Sequence, residues 1–371
     1  MFISFRLNYL NLRKFLRLKY FVFPLFVLFL ILTSCHKNTT LQLKIKMVTT
    51  APKAVTNNAV CAATIGNQNY LYSFGGLDST KLFTGINNCS YRYNINKNKW
   101  LRLPDLPDSL PRIAMAASRI KDTIYIIGGY HVFADKHEES SNKVHRFNIK
   151  TNKFLPDGAP IPIPIDDQVQ AVWHDSLIFV VTGWSEKENV PAVQIYNPST
   201  NTWQQGKSLP NANSFKAFGA QGIFLKDTLF YFGGAAMGKN YPVQHRLVKG
   251  VVNPKKPTEI NWTKTPLNSD LSSYRLAATL VKNTPHFIGG SAVTYNYNGI
   301  AYNKTGGVKP HKTDFYYQNN KIYKNFNSFL PMDLRSLASV NDSVKYIYGG
   351  MEKHQKVSNK ILKLTWIYLK K

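Results

Sequence analysis

Acidic residues and cysteines are scarce in this 371-residue chain, which has 20 Asp and Glu against 47 Lys and Arg, and only 3 Cys. The cysteines form no Cys-x-x-Cys pair and the 9 histidines show no His-x-x-x-His spacing, so we expect no metal site. A serine nucleophile elbow and a phosphate-binding loop are also missing. These absences argue against zinc enzymes, serine hydrolases and nucleotide-dependent enzymes, and we expect no cofactor.

The chain also lacks an apolar run long enough to cross a membrane. The run at 20–32 has about 13 residues, whereas a membrane-spanning helix needs about 20. Five basic residues precede it and Leu32-Thr33-Ser34-Cys35 follows it, as in a secretory signal. The Leu-x-x-Cys spacing resembles the bacterial lipobox, in which the cysteine becomes the lipidated first residue. We therefore predict a signal peptide at 1–34, a lipid on Cys35 and a tether at 35–40.

This predicted signal peptide and lipidated cysteine imply a bacterial cell-envelope protein that is held at a membrane by acyl chains. His36 follows the cysteine, where an aspartate would resemble an inner-membrane retention signal, so we predict the outer membrane. The sequence leaves open whether the protein faces the periplasm or the medium. We expect a monomer.

The excess of basic residues gives a net charge of +27, and +22 once the five basic residues before Cys35 are removed. The lysines are scattered through turns such as Asn96-Lys97-Asn98-Lys99, which is how a solvated surface looks. No recognition motif or arginine-rich helix accompanies them, so we expect no nucleic-acid partner. Attraction to anionic lipid, polysaccharide or an acidic sugar explains the charge more simply.

A repeat dominates the rest of the chain. Six times, at intervals of about fifty residues, an apolar and aromatic run ends in a small pair. Such a period is typical of β-propellers, in which each unit buries its hydrophobic faces against its neighbours. The pairs are Gly75-Gly76, Gly128-Gly129, Thr182-Gly183, Gly233-Gly234, Gly289-Gly290 and Gly349-Gly350.

Each repeat predicts four strands. In the second repeat they fall at 113–119, 123–127, 143–149 and 153–155, and β-branched runs such as Ile178-Phe179-Val180-Val181 suit strands buried on both faces. We predict an all-β fold, a six-bladed β-propeller over residues 41–371. One large residue per repeat is expected to fill the space between blades: Trp100, Phe154, Trp203, Trp262 and Tyr323.

The sixth repeat is one strand short, because the chain ends soon after the strand predicted at 360–366. The segment 41–47 alternates apolar and polar residues ahead of the first blade. We predict that it completes the sixth blade and closes the ring, which would remove exposed sheet edges. Deleting 41–47 should then abolish cooperative folding.

These repeats resemble those of the kelch family, and the resemblance runs from about residue 41 to the end of the chain. It implies a β-propeller. Kelch propellers serve as protein-binding platforms, as sialic acid mutarotases and as parts of larger oxidases, so the fold does not decide the function. A copper radical oxidase would need a Tyr-Cys crosslink, for which neither Cys61 nor Cys89 is placed.

Cys61 and Cys89 would lie on blade one with a strand between them. Strands about 4.8 Å apart put their backbones about 9 to 10 Å apart, beyond the usual limit of about 7 Å for a disulfide. We expect free thiols, unless the loop at Cys89 folds inward.

Polar or charged residues stand shortly before the innermost strands, one position per blade: Asn58, Arg112, Asp166 with Asp167, Lys216, Arg275 and Arg335. Three arginines and a lysine that converge near the axis could hold a carboxylate through charge-assisted hydrogen bonds. Alternatively, each arginine anchors its own loop by donating to backbone carbonyls.

The longest loop after a small pair, at 291–307, belongs to the fifth blade and is rich in Tyr and Asn. Aromatic rings stack on sugar faces and amides bond hydroxyls, so Tyr297, Asn298 and Tyr302 are candidate ligand-binding residues. Surface loops also collect these residue types without binding anything.

The stretch 296–302, followed by His311, is similar to the corresponding blade of sialic acid mutarotases. That resemblance implies a glutamate directly after a mid-chain small pair and an arginine shortly beyond. Here Ala235 follows Gly233-Gly234, and only Arg246 could answer for the arginine. The residues that could replace the missing carboxylate are Asp166, Asp167, Glu138 and Glu186.

We therefore prefer a binding module for an anionic sugar or glycan over an enzyme. The alternatives are a sialic-acid-type sugar mutarotase, which needs only an acid and a base to open and reclose the ring, and a scaffold for another envelope protein.

Overall fold

A computed structural model describes residues 39–327 and 330–370. The predicted signal peptide and Cys35 lie outside these residues. The chain contains two compact units, of which Leu43–Trp366 is the larger; of the other, the structure describes residues 39–42 and 367–370. No helix in 39–327 or 330–370 is long and apolar enough to cross a membrane.

The larger unit is a six-bladed β-propeller, as the repeat predicted. The described chain begins with β1 (Thr39–Thr50) and then forms the first blade from β2 (Ala59–Ile65), β3 (Gln68–Leu77), β4 (Ile86–Asn94) and β5 (Lys99–Arg102). Each sheet pairs antiparallel in chain order, from the innermost strand outwards.

The second and third blades each carry an extra two-stranded hairpin after the small pair. Blade two contains β6 (Ala116–Ile120), β7 (Thr123–Ile127), β10 (Val144–Asn148) and β11 (Lys153–Leu155), with the hairpin β8 (Tyr130–Val132) and β9 (Glu138–Ser140). Blade three contains β12 (Val169–Trp173), β13 (Leu177–Val181), β16 (Val193–Asn197) and β17 (Thr202–Gln205), with the hairpin β14 (Trp184–Ser185) and β15 (Glu188–Asn189).

The last three blades repeat the same order. Blade four is β18 (Phe218–Leu225), β19 (Thr228–Ala235), β20 (Arg246–Asn253) and β21 (Lys256–Pro266), and blade five is β22 (Ala277–Val281), β23 (Thr284–Ile288), β24 (Thr313–Gln318) and β25 (Lys321–Phe326). Blade six is built from β26 (Ala338–Ser339), β27 (Val344–Tyr348) and β28 (Lys360–Lys370).

In the sixth sheet the strand order is β1-β28-β27-β26, so β1 is its outer strand. The strand expected at 41–47 therefore forms and is longer than expected. Whether the ring depends on it for closure stays a prediction, which the 41–47 deletion tests.

The core consists of aromatic and β-branched side chains packed between adjacent blades. Trp100 packs on Tyr93 with ring centroids 4.7 Å apart, and Trp203 on Tyr196 at 4.9 Å. Phe154 contacts Phe147 at 5.1 Å. Trp100 also contacts Tyr348 of blade six at 5.6 Å and Phe154 contacts Phe74 of blade one at 6.2 Å, so these two rings fill spaces between blades as predicted. Tyr323, in contrast, is exposed and stacks on Tyr316 of its own blade.

The small pairs bring neighbouring blades into backbone contact. Gly233 and Gly234 both have positive φ (71° and 81°), and a Cβ on Gly233 would overlap the carbonyl of Ser273 in blade five. Thr182 replaces the first glycine in blade three at a φ of 44°, and its Oγ1 donates to the carbonyl of Ala217 in blade four at 3.1 Å. A small residue is needed here because the next blade lies directly against it.

Both Cys61 and Cys89 are free thiols, as expected from their strand positions. Burial raises the pKa of the Cys61 thiol to about 12, so it is inert in the folded state.

Candidate functional site

A left-handed residue precedes the innermost strand of every blade. Five of the six positions are non-glycine residues, and all six have φ between 47° and 66°: Asn57, Ala114, Asp167, Gly219, Arg275 and Asp333. Backbone N–H groups in this series donate to the neighbouring blade, for example Gly219 to Asp167 and Arg275 to Gly219, both at 2.8 Å. We call these six residues the axial ring.

The axial ring corrects the alignment of candidate residues made from sequence. Only Asp167 and Arg275 occupy equivalent positions in it. Arg112 lies two residues before the ring position of its blade and Arg335 two residues after, because the loops that lead into the blades differ in length. The predicted basic residues therefore do not converge on one point.

Two of the predicted ligand-binding arginines form ion pairs with aspartates of the axial ring. Arg275 donates from Nε and Nη2 to Asp167 Oδ2 at 3.1 and 2.7 Å, and from Nη1 to Asp333 Oδ1 at 3.2 Å. Arg335 donates from Nη1 to the other Asp167 oxygen at 2.5 Å. All four side chains are at most 2% exposed. We call these four residues the axial ion-pair cluster.

Arg112 is an anchor for its own loops. Its Nε donates to Asp108 Oδ2 at 2.9 Å and its Nη1 donates to the Gly128 carbonyl at 2.5 Å. His145 Nε2 also lies 2.9 Å from Asp108. Burial opposes ionisation of Asp108, but the hydrogen bond from His145 and the charge of Arg112 outweigh it and lower the pKa to about 2.

Lys216 and Arg246 are likewise occupied. Lys216 is 7% exposed and its Nζ lies 3.7 Å from a Glu188 oxygen. Arg246 donates to the carbonyls of Ser214 and Gly233 at 2.8 and 2.7 Å. The anchoring alternative therefore describes the contacts of Arg112 and Arg246.

A second ring of residues forms the mouth of the propeller. In each blade the residue before the axial ring pairs with the residue directly after the small pair. The pairs are Thr56 with Leu77, Ile113 with Tyr130, Asp166 with Trp184, Phe218 with Ala235, Tyr274 with Ser291, and Met332 with Met351. Asp166 is the one ionisable carboxyl among these twelve residues.

A pocket of about 130 Å³ opens at this mouth above the axial ion-pair cluster. Half of its lining residues are aromatic, and its polar groups are three carboxyls, one guanidinium, one amide, three tyrosine hydroxyls and one indole N–H. The lining residues are Tyr130, Glu138, Asp166, Asp167, Trp184, Phe218, Tyr241, Arg275, Asn296 and Tyr302. Such an apolar concave surface with a few convergent polar groups is typical of a small-molecule site.

Two of the pocket carboxyls resist ionisation. Burial and the neighbouring charge of Asp167 raise the pKa of Asp166 well above its ordinary value, although Ser140 Oγ donates to Asp166 Oδ2 at 2.7 Å. The Glu138 side chain is open to solvent at the rim, yet desolvation by the surrounding loops raises its pKa to about 7. Arg275 opposes both shifts but is already paired with Asp167. A carboxyl that titrates near neutrality, as Glu138 does, is suited to proton transfer.

The long loop of blade five crosses the mouth. Tyr302 lines the pocket, and its ring lies 4.7 Å from that of Tyr241. Tyr297 does not line the pocket but packs on the apolar cluster of blades one and two that includes Leu77 and Tyr130. Asn298 Oδ1 accepts from the backbone N–H of Ile300 at 3.1 Å and so shapes the turn.

Of the four candidate carboxylates, some line the pocket and one does not. Asp166, Asp167 and Glu138 share the pocket, whereas Glu186 is exposed and does not line it. Sequence reasoning missed Tyr130, Trp184, Phe218 and Tyr241. The position directly after each small pair would have revealed Tyr130 and Trp184, because that position always faces the mouth.

Comparisons with known proteins agree with this architecture. A family model described as the KLHDC2/KLHL20/DRC7 Kelch-repeats domain matches residues 30–234, more than half of the chain. The solved structure titled "Structure of YjhT" is similar in fold, with a TM-score of 0.68 and 18% sequence identity over 87% of this chain and all of that one.

Two curated relatives are similar in sequence. Kelch-like protein terF of Aspergillus terreus is 28% identical over 47% of this chain, and the human kelch repeat and BTB domain-containing protein 12 is 24% identical over 54%. The matches cover only 37% and 33% of those proteins, so the chain spans about a third of their length.

Proposed function

The chain belongs to the kelch-repeat family, and we propose that it is a binding module that holds a hydroxyl-rich sugar ring in the pocket at the propeller mouth. The observation that carries the proposal is the aromatic wall around convergent polar groups. Trp184, Tyr241 and Tyr302 offer ring faces or edges to an apolar sugar face, while Asn296, Asp166 and Glu138 offer hydrogen-bonding groups.

An acidic sugar, expected from the arginines, fits the pocket less well. The one basic residue lining it is Arg275, whose three nitrogens already donate to two aspartates. A ligand carboxylate would lie among the carboxyls of Glu138, Asp166 and Asp167, while the charge of Arg275 is already neutralised by aspartates. We therefore favour a ligand without a negative charge.

Binding of hexoses to the purified protein tests the proposal. We expect saturation-transfer NMR signals from the sugar ring protons, and at least a tenfold loss of affinity in Trp184→Ala. Trp262→Phe is the matched control, because Trp262 lies in the outer strand β21 and should leave affinity unchanged. A blank hexose panel, or equal affinities in the two variants, would contradict a sugar site; recovery of an envelope protein by pull-down would then favour a scaffold.

A second candidate function is sugar mutarotation, which the Glu138 carboxyl favours. Its pKa of about 7 makes both the acid and the base form available at neutral pH. NMR exchange between hexose anomers should accelerate with the protein and return towards the solvent rate in Glu138→Gln. Sugar binding without acceleration of anomer exchange would contradict mutarotation and leave the binding-module proposal standing.

We also propose that the protein is anchored to the outer membrane through a lipid on Cys35. The support is the Leu32-Thr33-Ser34-Cys35 spacing after the basic and apolar segments. Palmitate labelling should mark the wild type and not Cys35→Ser; an unlabelled wild type would contradict the anchor.

A further inference from the structure

We propose that the sugar bound at this mouth carries a free amino group, held as an ammonium ion by Asp166 and Glu138 among the pocket aromatics. The inference rests on the proposed sugar site and specifies the ligand's charge. Two adjacent layers along the propeller axis, the axial ion-pair cluster and the pocket carboxyls above it, differ in their ion pairs.

The axial ion-pair cluster is balanced by itself. Its two guanidinium groups, on Arg275 and Arg335, face the two carboxylates of Asp167 and Asp333. Thr56 Oγ1 completes the hydrogen bonding of Asp333 at 2.8 Å. This cluster therefore has no cation left for the layer above it.

The pocket carboxyls of Asp166 and Glu138 lack a basic partner in the described part of the chain. Neither Asp166 nor Glu138 forms an ion pair with a lysine, arginine or histidine there. Asp166 is only 4% exposed, it lines the pocket, and the side chain that donates to it is the neutral Ser140. Burial without a basic partner disfavours the charged form of Asp166, and an ammonium group in the pocket would stabilise that form.

The pocket walls independently favour a cation. Trp184 meets Phe218 and Tyr241 with ring centroids 5.5 and 5.7 Å apart, and Tyr241 meets Tyr302 at 4.7 Å. Aromatic faces attract ammonium groups through their quadrupole, most strongly where water is excluded. Carboxyls and aromatic rings in one pocket thus select an amine-bearing ligand over its neutral counterpart.

Proton release should accompany binding. The groups that face Glu138 from the surrounding elements are Asp166, Asp167, Arg275, Tyr130, Tyr297 and Tyr302. A bound ammonium group stabilises the charged carboxylates, so their raised pKa values fall and protons leave. Affinity should rise as the pH rises through about 7, until the amine itself loses its proton.

Calorimetric titration of the full-length protein with D-glucosamine, D-glucose and D-glucuronic acid tests the inference. We expect glucosamine to bind at least tenfold more tightly than glucose, glucuronic acid to bind most weakly, and the heat of glucosamine binding to depend on the buffer because protons are released. Asp166→Asn should abolish the preference for glucosamine over glucose. Asp122→Asn, a partly buried turn residue remote from the pocket, should keep the preference.

The outcomes separate the two proposals. Equal affinities for glucosamine and glucose, a preference that survives Asp166→Asn, or tighter binding of glucuronic acid would overturn the amine inference and leave the sugar site standing. Failure of all three sugars to bind would overturn the sugar site as well.

Discussion

Asp166 and Asp167 are neighbours in the chain and yet belong to two different layers of the axis. Asp167 receives hydrogen bonds from Arg275 and Arg335 and belongs to the axial ion-pair cluster. Asp166 receives one from Ser140 and faces the aromatic pocket. The left-handed backbone at Asp167, with φ of 47°, turns the two side chains apart.

These two adjacent aspartates therefore have different roles, one in stabilising the fold and one in facing a ligand. A carboxylate paired with two buried guanidinium groups locks three blades together and is not available to a ligand. A carboxyl with no basic partner destabilises the fold in its charged form and is retained where it serves a site. The comparison therefore assigns a stabilising role to Asp167 and a ligand-facing role to Asp166.

The largest expected effect is on Asp167. Asp167→Asn keeps the side-chain volume and tolerates positive φ, but it leaves the buried Arg335 without its carboxylate and Arg275 with that of Asp333 alone. We expect the free energy of unfolding in urea to fall by about 3–5 kcal/mol. The matched variant Asp166→Asn should change it by less than about 1 kcal/mol, since the amide oxygen of Asn can still accept from Ser140 Oγ and no ion pair is lost. Equal losses in the free energy of unfolding of the two variants would contradict the different roles of Asp166 and Asp167.

A smaller loss is expected at Arg112, which sequence reasoning placed among the ligand-binding residues. Arg112→Met removes the hydrogen bonds to Asp108 and the Gly128 carbonyl, while His145 still contacts Asp108, so stability should fall by about 2–3 kcal/mol. Sugar affinity should not change.

Arg102→Met is the control for this variant, because the exposed pair of Arg102 with Asp105 contributes about 0–1 kcal/mol. If Arg112→Met weakened sugar binding at full stability, Arg112 would be a ligand-binding residue after all.

The smallest effect is a change in the pH dependence of stability at Glu138, because solvent screens the charge of its exposed side chain. Its pKa is raised from 4.5 to about 7 on folding, so its favourable contribution is present below pH 4.5 and is lost as the pH rises through about 7. Glu138→Gln cannot ionise, and its stability relative to the wild type should increase across this interval. Chemical unfolding at several pH values measures the difference; parallel pH curves for the two proteins would show that Glu138 ionises at its ordinary pKa.

The sequence predicted the propeller because its determinants are local and periodic. Each small pair marks a contact with the next blade, as at Gly233, and large residues such as Trp100 fill gaps between blades. These features recur at nearly constant spacing, so a single chain displays them.

The site was less predictable, because its contacts join residues far apart in the chain. Arg275 and Asp167 are separated by 108 positions and Arg335 and Asp167 by 168. Nothing in the spacing shows that these charges meet, and counting the arginines alone therefore predicted an anion site. Asp166 and Tyr302, predicted from the sequence as a catalytic and a ligand-binding candidate, line the pocket, whereas Tyr297 packs on the apolar cluster that includes Tyr130 and does not line it.

The carboxyl titration of Asp166 tests the comparison most directly. In protein labelled with ¹³C at the aspartate side chains, NMR should show one carboxyl carbon that titrates well above the ordinary pKa of 3.8, and this signal should vanish in Asp166→Asn but persist in Asp122→Asn. If the signal lost in Asp166→Asn titrates near 3.8, then Asp166 is charged at neutral pH, and the distinction between the axial ion-pair cluster and the unpaired pocket carboxyl is wrong.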